Sequence, residues 1–503
     1  MFKRIQIIVF VLFVALALYF TEQYWENWLL GVISILFSLS AFFIGIVIFL
    51  ENRHPSKTIT WLIVLAVFPV VGFVFYIVFG QDYRKKKLFQ KKAELDEQAF
   101  MRIEGNRTLN ENELEKMGDH QKLLFRLAHN LGKSPISFAT ATEVLTNGKE
   151  TFDEILKALE QATHHIHLEY YIVRSDEIGE QIKEVLIRKA KEGVEVRFLY
   201  DSVGSWKLSK TYISELLAAG VQMISFSPVR LPFLNNKINF RNHRKIIVID
   251  GTIGFSGGLN IGDEYLGRNK YFGLWRDTHL LLKGEAVRSL QLIFLRDWYY
   301  MTDQALLDQD YLSPDLEVLS DTGGVQMIAG GPDQHWETIK NLFFSMIVSA
   351  KKSIYITSPY FIPDEDILSA LKVAALSGID VRIIVPDRPD KRIVFYASRS
   401  YFPELLDAGV KVYEYKEGFL HSKVIIVDNE LASIGTSNMD MRSFHLNFEV
   451  NTFLFKTNST TKLVKDFLND LDHSKPIEFV HFNKRPILAR VVESTSRLLS
   501  PLL

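Results

Sequence analysis

Two stretches of the chain carry the same potentially reactive residues at the same spacing. His243-Arg-Lys245-Ile-Ile-Val-Ile-Asp250 and His421-Ser-Lys423-Val-Ile-Ile-Val-Asp428 both read H-x-K-x-x-x-x-D. Each is followed a little further on by a Gly-x-x-Asn element, Gly257-Gly-Leu-Asn260 and Gly435-Thr-Ser-Asn438, at equal distance in the two copies. Imidazole is a nucleophile or a general acid near neutral pH, and lysine supplies charge for phosphate oxygens. Two histidines permit a division of labour at phosphorus. One attacks and forms a phosphohistidine, while the other protonates the leaving oxygen and then deprotonates an incoming hydroxyl. Two lysines and two asparagines can neutralise the equatorial oxygens, so the pattern calls for no metal and no other cofactor.

Such chemistry needs rigid support. His243 and Lys245 are two apart, as are His421 and Lys423, so on a β-strand each pair shares a face. The four Ile or Val residues that follow read as a strand buried on both sides. Asp250 and Asp428 have an odd offset from their histidines and fall where a turn is expected. A structural role is as open to them as a catalytic one. A histidine also needs a partner that fixes its tautomer. Asp277 lies downstream of the first motif and Glu449 downstream of the second, each entering an apolar segment that reads as the next strand. This reading sets each acid beside the histidine upstream of it. Either acid can equally be a solvated strand end.

The duplication extends beyond the motifs. Ile166-HLEYYIV and Gly193-VEVRFLYD correspond to Ile354-YITSPYFI and Gly378-IDVRIIVPD, and Glu215-LLAAGVQM corresponds to Glu404-LLDAGVKV. Alternating strands and helices with glycine at helix ends predict an α/β fold, one lobe per half, with the two motif strands facing each other. One difference separates the halves. The chain from Gly220 of the A-G-V turn to His243 is nearly twice as long as that from Gly409 to His421. The excess is a loop mixing Leu231, Phe233, Leu234 and Phe240 with Arg230, Lys237 and Arg241. It reads as a surface loop or as a rim that meets lipid.

Residues 1–80 read as a membrane anchor. Residues 29–50 and 59–79 are uncharged apolar runs long enough to span a bilayer, and 5–20 is a shorter third run. Arg84-KKK87, Lys91 and Lys92 after the last run draw that side to the cytoplasm. Lys3 and Arg4 agree with two spans and oppose three. Residues 81–130 read as a charged, helix-prone linker or approach segment, 131–320 as the first lobe and 321–503 as the second. The expected setting is the cell membrane, crossed more than once, with the catalytic region on the cytoplasmic side. A net charge of −1 marks no nucleic-acid binder, and the lack of cysteine excludes disulfides and thiolate metal sites. Oligomeric state is not legible.

These features together resemble the phospholipase D superfamily and, more narrowly, the bacterial cardiolipin synthases. The resemblance runs from Asn52-RHPSKTITW61 through Asn242-HRKIIVIDG, Trp275-RDTH and Ser358-PYFIPD to Gly435-TSNMDMRS. The superfamily's Gly-Ser-x-Asn has Gly258 and Thr436 at its serine position, so a hydroxyl is present in one half only. The resemblance implies two phospholipase D-like α/β lobes sharing one active site behind N-terminal transmembrane helices. It implies phosphatidylglycerol as donor and acceptor, giving cardiolipin and glycerol at a bilayer. It implies His243 as nucleophile, His421 as acid and then base, and Lys245, Lys423, Asn260 and Asn438 on the phosphate. Asp277 and Glu449 would orient the histidines. A membrane-bound phospholipase D hydrolase, or a transferase using another alcohol, shares the first half-reaction. A nuclease or a non-enzymatic scaffold fits less well, given the charge balance and the two intact motifs.

Overall fold

The computed structural model describes residues 117–226, 239–306, 308–312 and 323–503, the helix Pro55–Val67 and isolated positions between 39 and 76. The apolar runs 5–20 and 29–50 fall outside the described residues apart from five positions, and 59–79 is described as far as Val67 and at two later positions. Among the described residues no helix is long and apolar enough to cross a membrane. Most of the long loop before the first motif, 227–238, also lies outside them.

The duplication in sequence becomes duplication of topology. The first lobe contains β1 (Thr140–Thr146), β2 (His165–Tyr170), β3 (Glu195–Asp201), β4 (Gln222–Phe226), β5 (Ile246–Ile249), β6 (Ile253–Gly257), β7 (Leu274–Arg276) and β8 (Thr278–Gly284). The second contains β9 (Gly324–Gly330), β10 (Ser353–Thr357), β11 (Phe361–Ile362), β12 (Asp380–Pro386), β13 (Lys411–Tyr415), β14 (Gly418–Leu420), β15 (Val424–Val427), β16 (Leu431–Gly435), β17 (Met439–Asp440), β18 (Glu449–Phe455) and β19 (Ser474–Pro476). The first sheet runs β1-β8-β6-β5-β2-β3-β4, and the second runs β9-β18-β16-β15-β10-β12-β13-β19. Seven positions correspond in order, and β19 is an added edge.

Within each sheet the helix-connected strands are parallel, β2-β3-β4 and β10-β12-β13. The motif strands β5 and β15 join them antiparallel. All four residues of each motif strand are buried, which the Ile/Val runs require. The core of the first lobe gathers Ile166, Leu168, Phe198, Leu216, Ile247 and Ile249. That of the second gathers Ile354, Ile356, Ile383, Leu405, Ile425 and Val427.

The end of the segment read as a linker is an exception. Asp119–Gly132 is an amphipathic helix whose buried Leu124, Phe125 and Ala128 belong to the core of the second lobe, beside Ile328, Leu342 and Phe343. Its apolar spacing is legible, but the sheet it covers lies beyond the whole of the first lobe in the chain.

Candidate active site

Both histidines lie just before their strands rather than within them. His243 and Lys245 precede β5, and His421 and Lys423 precede β15, in extended segments that cross to the other lobe. The N–H of His243 donates to the carbonyl of Phe448 at 2.9 Å, and that of His421 donates to the carbonyl of Arg276 at 2.7 Å. Parallel pairing supports both crossings. β14, which leads into His421, pairs with β7, and Asn242 bridges Phe448. In each case the accepting residue comes one position before an acid. The backbone therefore delivers each histidine to the carboxylate of the opposite lobe.

The side chains complete the exchange. Nδ1 of His243 lies 2.9 and 3.1 Å from the two carboxylate oxygens of Glu449, and Nδ1 of His421 lies 2.6 Å from Oδ2 of Asp277. The acids are those that the sequence singles out, but the pairing is crosswise, where spacing along the chain suggested partners within one half. A carboxylate at Nδ1 holds the proton there and leaves Nε2 with its lone pair.

Each acid is itself fixed, by different means. The Thr436 hydroxyl donates to Oε2 of Glu449 at 2.5 Å and accepts from the Val450 N–H at 2.9 Å. Asp277 receives the Thr278 N–H at 2.8 Å and the Trp275 indole N–H at 3.4 Å. Gly258 stands where Thr436 stands in the second half, and a Cβ there would meet Oδ1 of Asp277 at 2.0 Å. The hydroxyl missing from one half is thus excluded by the carboxylate it would support.

Electrostatics set the resting protonation. Burial pulls His243 down to about 4 and His421 to about 3, more than their carboxylates restore, so both rings are neutral at pH 7. Burial opposes charge on Asp277 and Glu449 as well, but the histidine contacts and the nearby lysines outweigh it and hold both acids ionised. Lys245 falls to about 7, through burial and the repulsion of Lys423, and Lys423 falls to about 8 through burial, both shifts being partly offset by the acids. Lys245 Nζ donates to the carbonyl of its own His243 at 2.7 Å, and Lys423 Nζ donates likewise to His421. Each ammonium keeps other hydrogens for an anion. An entering phosphodiester would restore charge to both lysines and draw a proton onto a histidine.

The remaining predicted residues separate into two groups. Asn260 is tied on both sides, its oxygen accepting the Ile172 N–H at 3.0 Å and its nitrogen donating to the Tyr265 hydroxyl at 3.2 Å. Asn438 is buried with its side-chain oxygen unpartnered. Asp250 and Asp428, included among catalytic candidates, lie at the far end of the motif strands, up to roughly 23 Å of extended chain from their histidines. Asp250 accepts the N–H groups of Thr163, His164 and His165 at 2.8–2.9 Å. Asp428 accepts those of Lys351, Lys352 and Ser353 at 2.7–2.9 Å. Both have positive φ in tight hairpin turns, completed by Gly251 and Asn429. They anchor the turns that lead into β2 and β10.

Several contacts escaped the sequence reading. The Tyr171 ring meets His243 edge-on at 4.9 Å, and Trp275 lies 5.1 Å from His421. Arg244 pairs with Asp297 and donates to the Glu449 carbonyl at 3.1 Å, while Arg276 pairs with Asp470 across the lobes at 2.7 Å. Buried His279 has no hydrogen-bond partner at either ring nitrogen, whereas its counterpart Asn451 bonds Ser433 and the Ser437 N–H. Alternation from Asp277 along β8 was the available signal for His279, because i and i+2 share a face.

Comparison with known proteins follows the same outline. The family described as cardiolipin synthase, phospholipase D-like domain, matches residues 155–298 and 343–471, and the phospholipase D-nuclease N-terminal family matches 28–81. A cardiolipin synthase of Halalkalibacterium halodurans is 69% identical over 501 residues, covering all of both chains. The chain belongs to the bacterial cardiolipin synthase family of the phospholipase D superfamily. Cardiolipin synthase 1 of Bacillus anthracis, more distant, is 43% identical over 478 residues and 94% of each chain. The solved phosphatidylserine synthase of Haemophilus influenzae Rd KW20 shares the fold, with a TM-score of 0.58 at 15% identity over 77% of this chain and 100% of its own. As a cardiolipin synthase family member the chain is a phosphatidyltransferase acting on phospholipid.

Proposed function

We propose that the chain joins two phosphatidylglycerol molecules into cardiolipin and glycerol through a phosphohistidine. The observation that carries this is the crossed pair of buried histidine–carboxylate contacts, each reaching from one lobe to the other, with a lysine beside each histidine. His243 takes the role of nucleophile, as the family resemblance implies. Its Nε2 attacks phosphorus while Glu449 stabilises the positive charge that develops on the ring. The bond from phosphorus to the glycerol oxygen breaks, and His421, which takes up a proton at Nε2 as the phosphodiester enters, gives that proton to the leaving oxygen. The second phosphatidylglycerol then loses a hydroxyl proton to His421 and attacks phosphorus. The N–P bond breaks and His243 is regenerated. Lys245, Lys423 and the amides of Asn260 and Asn438 bind the phosphate oxygens, and Asp277 holds His421 in the reactive tautomer.

Choosing lipid over water demands an enclosed site and a high local concentration of acceptor. Tyr171 packs edge-on against His243 and Trp275 against His421, and burial of both histidines keeps water scarce. Residues 1–80 supply the anchor in this reading, with the lobes 131–320 and 321–503 on the cytoplasmic side of the cell membrane. The test is to incubate the purified protein in phosphatidylglycerol vesicles and quantify products. Cardiolipin with equimolar glycerol is expected. Phosphatidic acid in place of cardiolipin would overturn transfer in favour of hydrolysis. Acid quenching with labelled donor should leave the label on His243; label on His421 would reverse the two roles.

A further inference from the structure

Helix Ile487–Arg497 is built inside out. At 100° per residue Ile487, Leu488, Val491, Thr495 and Leu498 share one arc, with Glu493 and Ser496 opposite. In a helix packed on a globular core the apolar arc faces inward. Here Ile487, Leu488 and Leu498 are 78, 76 and 80% exposed, and Glu493 is 3% exposed. The polar side is the one that packs. Glu493 pairs with Arg485 at 2.8 Å and lies 3.8 Å from Arg399, on a helix (Arg392–Arg399) against which this one sits. Val480 of the preceding short helix and Leu499 are exposed as well.

Charge selects the partner. Residues 479–503 contain Lys484, Arg485, Arg490 and Arg497 and a single acid, Glu493, which is turned inward; Arg485 pairs with Glu493 and Arg497 with Glu404, so exposed Lys484 and Arg490 are the cations left for an anionic partner. Exposed Arg490 lines one groove with Ile487, Val491 and Leu498. Apolar side chains interleaved with cations, with the one exposed acid at the start of the segment, Glu478, set beside His481, match a surface whose interior is hydrocarbon and whose face is anionic. The segment is also tied to the candidate site. The carbonyls of Leu502 and Leu503 accept from Arg442 at 3.0 Å each, and Arg442 belongs to the short helix Met441–His445 that begins directly after Asn438 and Asp440.

We infer that residues 479–503 form a second membrane contact, separate from the N-terminal apolar runs, that lays this helix on an anionic bilayer. The choice of an anionic phospholipid rests on the function proposed above. The contact sets the height and tilt of the second lobe over the bilayer. It leaves the chemistry to the residues already described.

The absence of native cysteine makes a direct test possible. Full-length Val491→Cys, labelled with an environment-sensitive fluorophore, is reconstituted in vesicles of equal phosphatidylglycerol and phosphatidylcholine. Emission is expected to be quenched by lipids carrying a shallow acyl-chain quencher, while the same label at Lys149→Cys, on an exposed helix, is unaffected. Arg490→Gln should weaken docking by about fivefold, the effect of one cation near an anionic surface. Leu488→Ser with Leu498→Ser should lower turnover on vesicles by about tenfold and leave turnover of short-chain phosphatidylglycerol in micelles unchanged. Absence of lipid quenching in a preparation that still makes cardiolipin would overturn the inference. So would photocrosslinking from position 491 to residues 1–116 or to a second copy. Quenching in a preparation that makes no cardiolipin would support the docking and refute the proposed function.

Discussion

Thr436 and Gly258 solve one problem in opposite ways. The hydroxyl of Thr436 holds Glu449, which in turn holds His243. Thr436→Val deprives a buried carboxylate of a donor, and kcat should fall about ten- to a hundredfold with little change in KM. A large KM effect would place Thr436 on substrate instead. Gly258→Ala introduces a methyl where Asp277 already lies, so the damage should appear at His421, the proton donor of the proposed reaction. Release of glycerol would then slow more than release of a leaving group that needs no proton, such as nitrophenolate. Equal slowing with both would refute that placement. The two depressed lysines give a further test. At pH 8 Lys245 is mostly neutral, and a phosphate-like anion such as tungstate should recharge it by taking a proton from solution. Calorimetry in buffers of different ionisation enthalpy reads that uptake directly, and no uptake would mean that the lysines are already charged.

At the scale of elements, the motif aspartates do their work at the turns. Asp250→Asn and Asp428→Asn remove charge from carboxylates that each hold three successive backbone N–H groups, so thermal stability should fall. Turnover per folded molecule should stay within about twofold. A thousandfold loss would return these residues to the chemistry. Turn position is legible from the Ile/Val runs and the Asp-Gly and Asp-Asn pairs that end them. The repeat of strands and helices is legible too, because each half writes the same pattern of buried strands and glycine-terminated helices. The crossed partnership is not. Separation along the chain ties Asp277 to His243 and Glu449 to His421, whereas the contacts depend on parallel pairing of β7 with β14 and of Asn242 with Phe448. Those short segments carry no periodicity of their own. His279 escaped for a related reason, since a lone histidine in an apolar strand is usually core.

Across the whole molecule, neutral buried histidines make stability depend on pH. His165, His243 and His279 are drawn from 6.5 to about 4, His421 to about 3, and His167 also well down, chiefly by burial. Below pH 6.5 the unfolded chain binds protons that the folded one refuses. Their contribution is therefore complete above pH 6.5 and is lost as pH falls toward 4. Glu169, Asp201, Asp440 and Asp470, raised by burial, act in the opposite sense, but the five histidines outnumber these four acids. The melting temperature should drop between pH 6.5 and 4.5, and His279→Asn should flatten that slope. A melting temperature constant over this interval would contradict the assignment of neutral rings.

The crossed contacts also bear on ancestry. A lobe by itself has a histidine without its carboxylate and a carboxylate without its histidine, so neither half is a smaller working enzyme. A single-lobe forerunner with these contacts could act only by lending its acid to a twin chain and borrowing one in return. Fusion of two such copies would lift the requirement that they be identical. After it, one half could keep aspartate with glycine and the other glutamate with threonine, and the two histidines would be free to specialise.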